Sequence, residues 1–106
     1  LLDALVRGAP CPTLVVRAHG LPEAWRPTRL LVPSNGGPAA RRAAELAFAM
    51  AAACGAEVLL LQAVDPTPAW GSRQEEPQRR LARQKALARD GLDALRKLAA
   101  PLGVSV

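Results

Sequence analysis

An α/β fold organised around a parallel sheet is the architecture this sequence predicts, and three observations predict it. Two short apolar runs, Arg29-Leu30-Leu31-Val32-Pro33 and Glu57-Val58-Leu59-Leu60-Leu61-Gln62-Ala63-Val64, are continuous rather than alternating, as strands of parallel sheets are. Between them stands Ser34-Asn35-Gly36-Gly37-Pro38, turn chemistry closing on a proline at a first helical position, and then an alanine-rich stretch. The apolar half of the composition is mostly Ala and Leu, with aromatics at only 3%, which suits helices packed closely on a sheet better than a core of large rings.

The elements follow in order. Leu1 to Arg7, apolar at 1, 2, 5 and 6 and closed by Gly8, is predicted to be the last two turns of a helix. Pro10-Cys11-Pro12 cannot continue it, and Thr13-Leu14-Val15-Val16-Arg17 reads as a strand of the kind buried on both faces. Ala18 to Thr28, with His19, Gly20, Pro22, Trp25 and Pro27, has no apolar period and reads as a linker. A strand at 29–33 then empties into the glycine turn. A helix follows from about Ala39 to Cys54, with Ala40, Ala43, Ala44, Ala47, Ala51 and Cys54 on one side, Arg41, Arg42 and Glu45 toward the other, and Gly55 as its stop. With the strand at 57–64, ended by Asp65-Pro66-Thr67-Pro68, this makes a right-handed βαβ unit. After a polar loop at 69–76 that holds Trp70, a long helix is expected from about Glu75 to Ala100, its apolar stripe formed by Leu81, Ala88, Leu92, Leu95 and Ala99. Pro101, Leu102 and Gly103 break it. Val104-Ser105-Val106 reads as the start of a further strand.

The 106 residues fit one domain and leave no room for two complete ones. With 50% hydrophobic and 22% charged residues, disorder throughout is excluded. The opening Leu1-Leu2-Asp3-Ala4 has neither an initiator Met nor a signal peptide, and reads as a cut through a helix. The longest uncharged stretch of the apolar middle, 46–56, is far short of the roughly 20 residues that cross a bilayer. Cys11 and Cys54 match neither a redox pair nor a zinc spacing, which fits a reducing, cytoplasmic compartment.

Fourteen Lys and Arg against nine Asp and Glu give a net charge of +5. The excess is local: residues 1–68 hold six bases and five acids, and residues 69–106 hold eight bases and four acids. The basic helix carries Arg79, Arg80, Arg83, Lys85, Arg89, Arg96 and Lys97, whose plainest reading is a solvated outer face. Nucleic-acid binding through it is the weaker reading, and a platform of stacked aromatics is excluded. His19 has no nucleophile arranged around it, and Trp25 and Trp70 read either as caps of a core edge or as partner contacts. No general base, metal cluster or nucleophile argues for turnover, so the expectation is no enzyme and no metal. The glycine turn lies where open parallel sheets bind ligands, beyond the carboxyl ends of their strands, yet it fits neither the P-loop nor the dinucleotide pattern.

Three segments resemble the universal stress protein family. Leu30 to Ala43 looks like its opening strand, Asp-Gly-Ser-type turn and first helix. Ala56 to Pro66 looks like its second strand, ending in Val-Asp-Pro, and Ala9-Pro10-Cys11-Pro12-Thr13-Leu14-Val15-Val16-Arg17 is similar to the entry into its last strand. The resemblance implies a doubly wound parallel sheet of the adenine nucleotide alpha hydrolase-like, Usp-like type, incomplete in this chain. Residues 1–18 would end a first domain, 19–28 would be a linker, and 29–106 would be the N-terminal part of a second domain.

The resemblance further implies a non-enzymatic, cytoplasmic stress or signalling module that pairs as a homo-oligomer or in tandem, some members of which bind ATP or AMP. The nucleotide-binding positions carried over are Pro33, Ser34, Asn35 and Val64. Two departures weaken that site: Asn35 stands where the family has an acid, and the family's phosphate loop is absent. Weak or no nucleotide binding is the resulting expectation. The alternative setting is the cytoplasmic regulatory tail of a cation/proton antiporter or another transporter, with the membrane domain in the same polypeptide.

Overall fold

The computed structural model describes residues 1–17, 19–65 and 76–106. Its elements are α1 (Leu2–Gly8), β1 (Arg29–Pro33), α2 (Pro38–Cys54), β2 (Glu57–Leu61) and α3 (Pro77–Ala99), followed by a 3₁₀ turn at Ala100–Leu102. The strands pair in parallel with Arg29 opposite Glu57 and Pro33 opposite Leu61. Arg29 and Glu57 also form an ion pair at the start of the ladder, a position where solvent holds its contribution to about 1 kcal/mol or less.

α2 forms as its sequence dictates. Gly37 and Pro38 open it, and seventeen residues later Gly55 takes φ 70°, the left-handed conformation that closes a helix at little cost to glycine. The N–H of Ala56 returns to the carbonyl of Ala51 at 3.0 Å and aims the chain into β2. Ala44, Phe48 and Ala51, spaced at three and four, turn one stripe of the helix onto the sheet. There they meet Val32, Val58 and Ala56, while Leu95 and Ala99 of α3 complete the same core; Phe48 and Val58 are its largest fully enclosed side chains.

Both helices therefore cover one face of the sheet. Burial alternates along each strand: Val32 and Val58 are buried and Leu30 and Leu60 half-buried, whereas Leu31, Leu59 and Leu61 are exposed. The apolar continuity of the runs predicts two covered faces; one is covered here.

Four further expectations are corrected. Thr13–Arg17 is not a strand: it pairs with no other strand, and Leu14, Val15 and Val16 are exposed. Apolar β-branched residues become a strand only when a neighbour accepts their backbone bonds, and none of the described residues does so. β2 stops at Leu61 instead of Val64, because its partner ends at Pro33 and the ladder continues only by the Ser34 N–H to Leu61 carbonyl bond. Val104–Val106 is not an assigned strand either, although the Val58 N–H donates to the Ser105 carbonyl at 2.9 Å, which sets this segment beside β2 on the side away from β1. Finally, Arg80 is buried, not on the solvated face. At helical spacing it shares a face with Gln84, Ala88 and Leu95, which a stripe drawn through the leucines alone overlooks. The predicted loop with Trp70 and the proposed helix start at Glu75 lie outside the described residues.

Replacing Phe48 with Ala is expected to cost about 3–5 kcal/mol in urea unfolding, since it empties the space of a fully enclosed aromatic ring. Gly91→Ala is expected to act oppositely. Gly91 lies inside α3, and an added Cβ would meet only the Gln62 Oε1 at 3.7 Å. It should therefore gain about 0.5–1 kcal/mol of helix propensity.

Candidate functional site

The turn from β1 to α2 sits at the carboxyl rim of the parallel pair, held by hydrogen bonds that its own sequence supplies. The Ser34 N–H donates to the Leu61 carbonyl at 2.7 Å, tying the turn to the end of β2. Gly36 adopts φ 80°, a conformation that glycine enters without a Cβ penalty. The Gly36 N–H donates to Ser34 Oγ at 3.0 Å and the Gly37 N–H to Asn35 Oδ1 at 2.9 Å, the side-chain-to-backbone pattern that Ser and Asn offer at turns. The Gly37 carbonyl then accepts the first helical bond, from Arg41 N–H at 3.1 Å.

Two clefts open on either side of this turn. One, about 440 Å³, is lined by Pro33, Ser34 and Asn35 together with Ala40 of α2, Leu61 at the end of β2 and Ala63 beyond it. The other, about 330 Å³, lies between Ser34, Gly36, Gly37 and Arg41 and the α3 residues Gly91 and Leu95. Both volumes fall within the range that small-molecule sites occupy. Neither lining includes a carboxylate. The one ion at their margin, Arg41, is already bonded to Glu45 at 3.1 Å.

Three of the four predicted positions, Pro33, Ser34 and Asn35, come together on the larger cleft. Val64 does not line it; it is half-buried, and Leu61 and Ala63 occupy the β2 side instead. The residues that sequence reasoning missed are these two, together with Arg41 and Gly91. Gly91 offers no sequence signal of a site: no close approach requires a glycine there, since an added Cβ would meet only Gln62 Oε1 at 3.7 Å.

The chemistry of the larger cleft follows from which polar groups remain free to act. Ser34 Oγ and Asn35 Oδ1 each give one lone pair to the turn, and the Ser34 hydroxyl and the Asn35 amide NH₂ are the donors these two side chains bring to the cleft lining. With apolar alanine, leucine and proline walls, the cleft suits a neutral or aromatic group bearing acceptors. Among the described residues no three His, Cys, Asp or Glu side chains gather as a metal site. On α3, Arg79, Lys85, Arg89, Arg96 and Lys97 are exposed. Cys11 and Cys54 are free thiols, and no described helix is long and apolar enough to cross a membrane.

The chain is thus an α/β module, a parallel βαβ unit whose glycine turn and cleft lie at its carboxyl rim, the position at which open parallel sheets in general take ligands. The family model of the universal stress protein family matches residues 27–106, from just before β1 to the last residue, and the chain belongs to that family. No curated protein and no solved structure matches the chain significantly.

The turn's own side chains make its integrity measurable. Asn35→Ala removes the acceptor for the Gly37 N–H at the mouth of α2 and is expected to lower unfolding stability by about 1 kcal/mol. Asn35→Asp keeps the acceptor and adds a charge that the helix start favours, so it should retain full stability or gain about 0.3–1 kcal/mol. Equal losses in both variants, measured by urea denaturation, would show that the bond does not hold the turn.

Proposed function

We propose that this chain is a regulatory, non-catalytic module of the universal stress protein family whose Pro33–Gly37 turn is a weak, vestigial adenine-nucleotide site. The observation that carries this reading is the larger cleft, where Ser34 and Asn35 stand beside Leu61 and Ala63 at the rim of the parallel pair. Its apolar walls suit a purine face, and its free donors, the Ser34 hydroxyl and Asn35 amide, suit ring nitrogens or ribose oxygens.

Weakness follows from the same atoms. The position that would present an anionic acceptor to a ribose hydroxyl is the neutral Asn35, whose oxygen is already bonded to the Gly37 N–H. A neutral acceptor of this kind gives about half the strength of a charged one. The Gly36 and Gly37 N–H groups, which a phosphate would otherwise draw, are likewise turned to Ser34 Oγ and Asn35 Oδ1. Binding in the reading offered here changes the occupancy of the turn and hence the order of the α2 start. It transfers no group.

ATP and AMP titrated into the 15N-labelled chain should shift the amide signals of Ser34, Asn35 and Gly36. The expected dissociation constant is about 1 mM, equivalent to roughly −4 kcal/mol. Micromolar affinity would contradict a vestigial site, and saturating nucleotide that moves none of those amides would contradict a site at this turn.

A further inference from the structure

Asn35 is the only asparagine in the chain, and a glycine follows it. The side-chain amide of asparagine is chemically labile, because the backbone nitrogen of the next residue can attack it, and a glycine in that place leaves the nitrogen unhindered. The folded turn surrounds this pair with what the reaction needs. Both residues are exposed, so water reaches them. Asn35 does not reach out into solvent, however. A methyl group on Gly37 would stand 3.0 Å from Asn35 Oδ1 and 3.7 Å from its Cγ, so the side chain is folded forward along the backbone. A turn closed by such a side chain carries Cγ across the nitrogen of the residue between, here Gly36.

Two hydrogen bonds fall on the two atoms whose charge changes in the reaction. The Gly37 N–H donates to Oδ1 at 2.9 Å at the start of α2. Negative charge taken up by that oxygen on attack therefore meets a donor already in place and the favourable end of a helix. The Gly36 N–H donates to Ser34 Oγ at 3.0 Å, which gives the proton of the attacking nitrogen an acceptor and, through the hydroxyl, a path to solvent.

We infer that this turn deamidates itself, converting Asn35 into an aspartate through a cyclic imide formed with Gly36. The Gly36 nitrogen bonds to Asn35 Cγ and loses its proton through Ser34 Oγ to solvent. The Cγ–Nδ2 bond then breaks, and the leaving nitrogen takes a proton from solvent and departs as ammonia. One water opens the imide. The Gly37 N–H polarises the Cγ carbonyl, so water adds there, the bond from Cγ to the Gly36 nitrogen breaks, and that nitrogen recovers a proton. The main chain is restored and the side chain ends as a carboxylate; nothing is oxidised or reduced. Addition at the backbone carbonyl would instead leave an isoaspartate, adding a methylene to a turn held at one end by the Ser34 bond to Leu61 and at the other by the first turn of α2.

Asp90-Gly91 is a pair that can close the same ring, but it lies inside α3. There the helix commits the glycine N–H to the preceding turn and holds the side chain away from it. The chemistry is thus confined to the turn between β1 and α2. Its product places a new negative charge at the mouth of α2 and on the wall of the larger cleft. In the nucleotide reading this exchanges a neutral acceptor for a charged one of about twice the strength; the conversion itself does not rest on that reading. Fresh and aged chains are two forms of one site, separated by a one-way reaction.

Ageing the whole chain at neutral pH, folded and in parallel in urea, tests this, with peptide mapping by mass spectrometry and an enzymatic isoaspartate assay as readouts. Conversion is expected at Asn35, at least as fast in the folded chain as in urea. The folded chain should give more aspartate than isoaspartate, the reverse of the unfolded chain. Ser34→Ala keeps the backbone bond to Leu61 and should slow the folded reaction about fivefold, while in urea it should age at the wild-type rate. An Asn35 that converts more slowly folded than in urea would show that the turn protects it, and would overturn the inference. So would a folded Ser34→Ala chain that ages like the wild type, or isoaspartate as the main product of the folded chain.

Discussion

The parallel pairing of β1 with β2 is the constraint on which the rest of the structure depends. Parallel strands cannot be joined by a tight hairpin, so the chain must cross over, and α2 is that crossover. Pairing Arg29 with Glu57 and Pro33 with Leu61 fixes where β1 ends, and the Ser34 N–H bond to the Leu61 carbonyl fixes the first residue of the turn. Phe48 holds this arrangement from above: it presses α2 onto Val32 and Val58, so register, helix position and core form together or not at all.

The site is a by-product of that closure. Once β1 and β2 end at a common rim and α2 starts above it, the chain between must turn within four residues, and Ser34, Asn35, Gly36 and Gly37 are chosen for turning. Their side-chain oxygens bond to their own backbone. The stability of the turn and its capacity to grip an anion therefore compete for the same N–H groups, and in this chain the turn takes them. In the function proposed above, this competition is what leaves the turn a weak grip on an anion.

What was legible in the sequence is what local chemistry decides. Gly55 and Pro38 place α2 nearly to the residue, and Leu30 to Val32 and Val58 to Leu60 place the strands, whereas the inward stripe expected on small residues includes Ala44 and Ala51 but also the exposed Ala43, and omits Phe48. The turn at 34–37 and its position at the strand ends were readable for the same reason. What was not legible depends on partners distant in the chain. Thr13–Arg17 has the composition of a strand but no neighbour to pair with among the described residues, and β2 loses its last three expected residues because β1 is short. Whether a leucine in these strands is covered depends on how many helices reach each face, so Leu31 and Val32 look equivalent in sequence and differ completely in burial. Arg80 is not legible because the charge of an arginine points to solvent, although its spacing to Ala88 and Leu95 places it on the inner face. In the site, Leu61, Ala63 and Arg41 enter through the packing of elements, which no turn motif encodes.

The Ser34 N–H anchors the turn to the end of β2. A through-hydrogen-bond scalar coupling between Ser34 nitrogen and the Leu61 carbonyl carbon, recorded with amide hydrogen exchange on the same sample, measures that bond alone. A resolved coupling with Ser34 protected to the same degree as Val58 is the result this account requires. A Ser34 amide exchanging at the rate of an open chain, with no coupling to Leu61, would detach the turn from the sheet rim and contradict it.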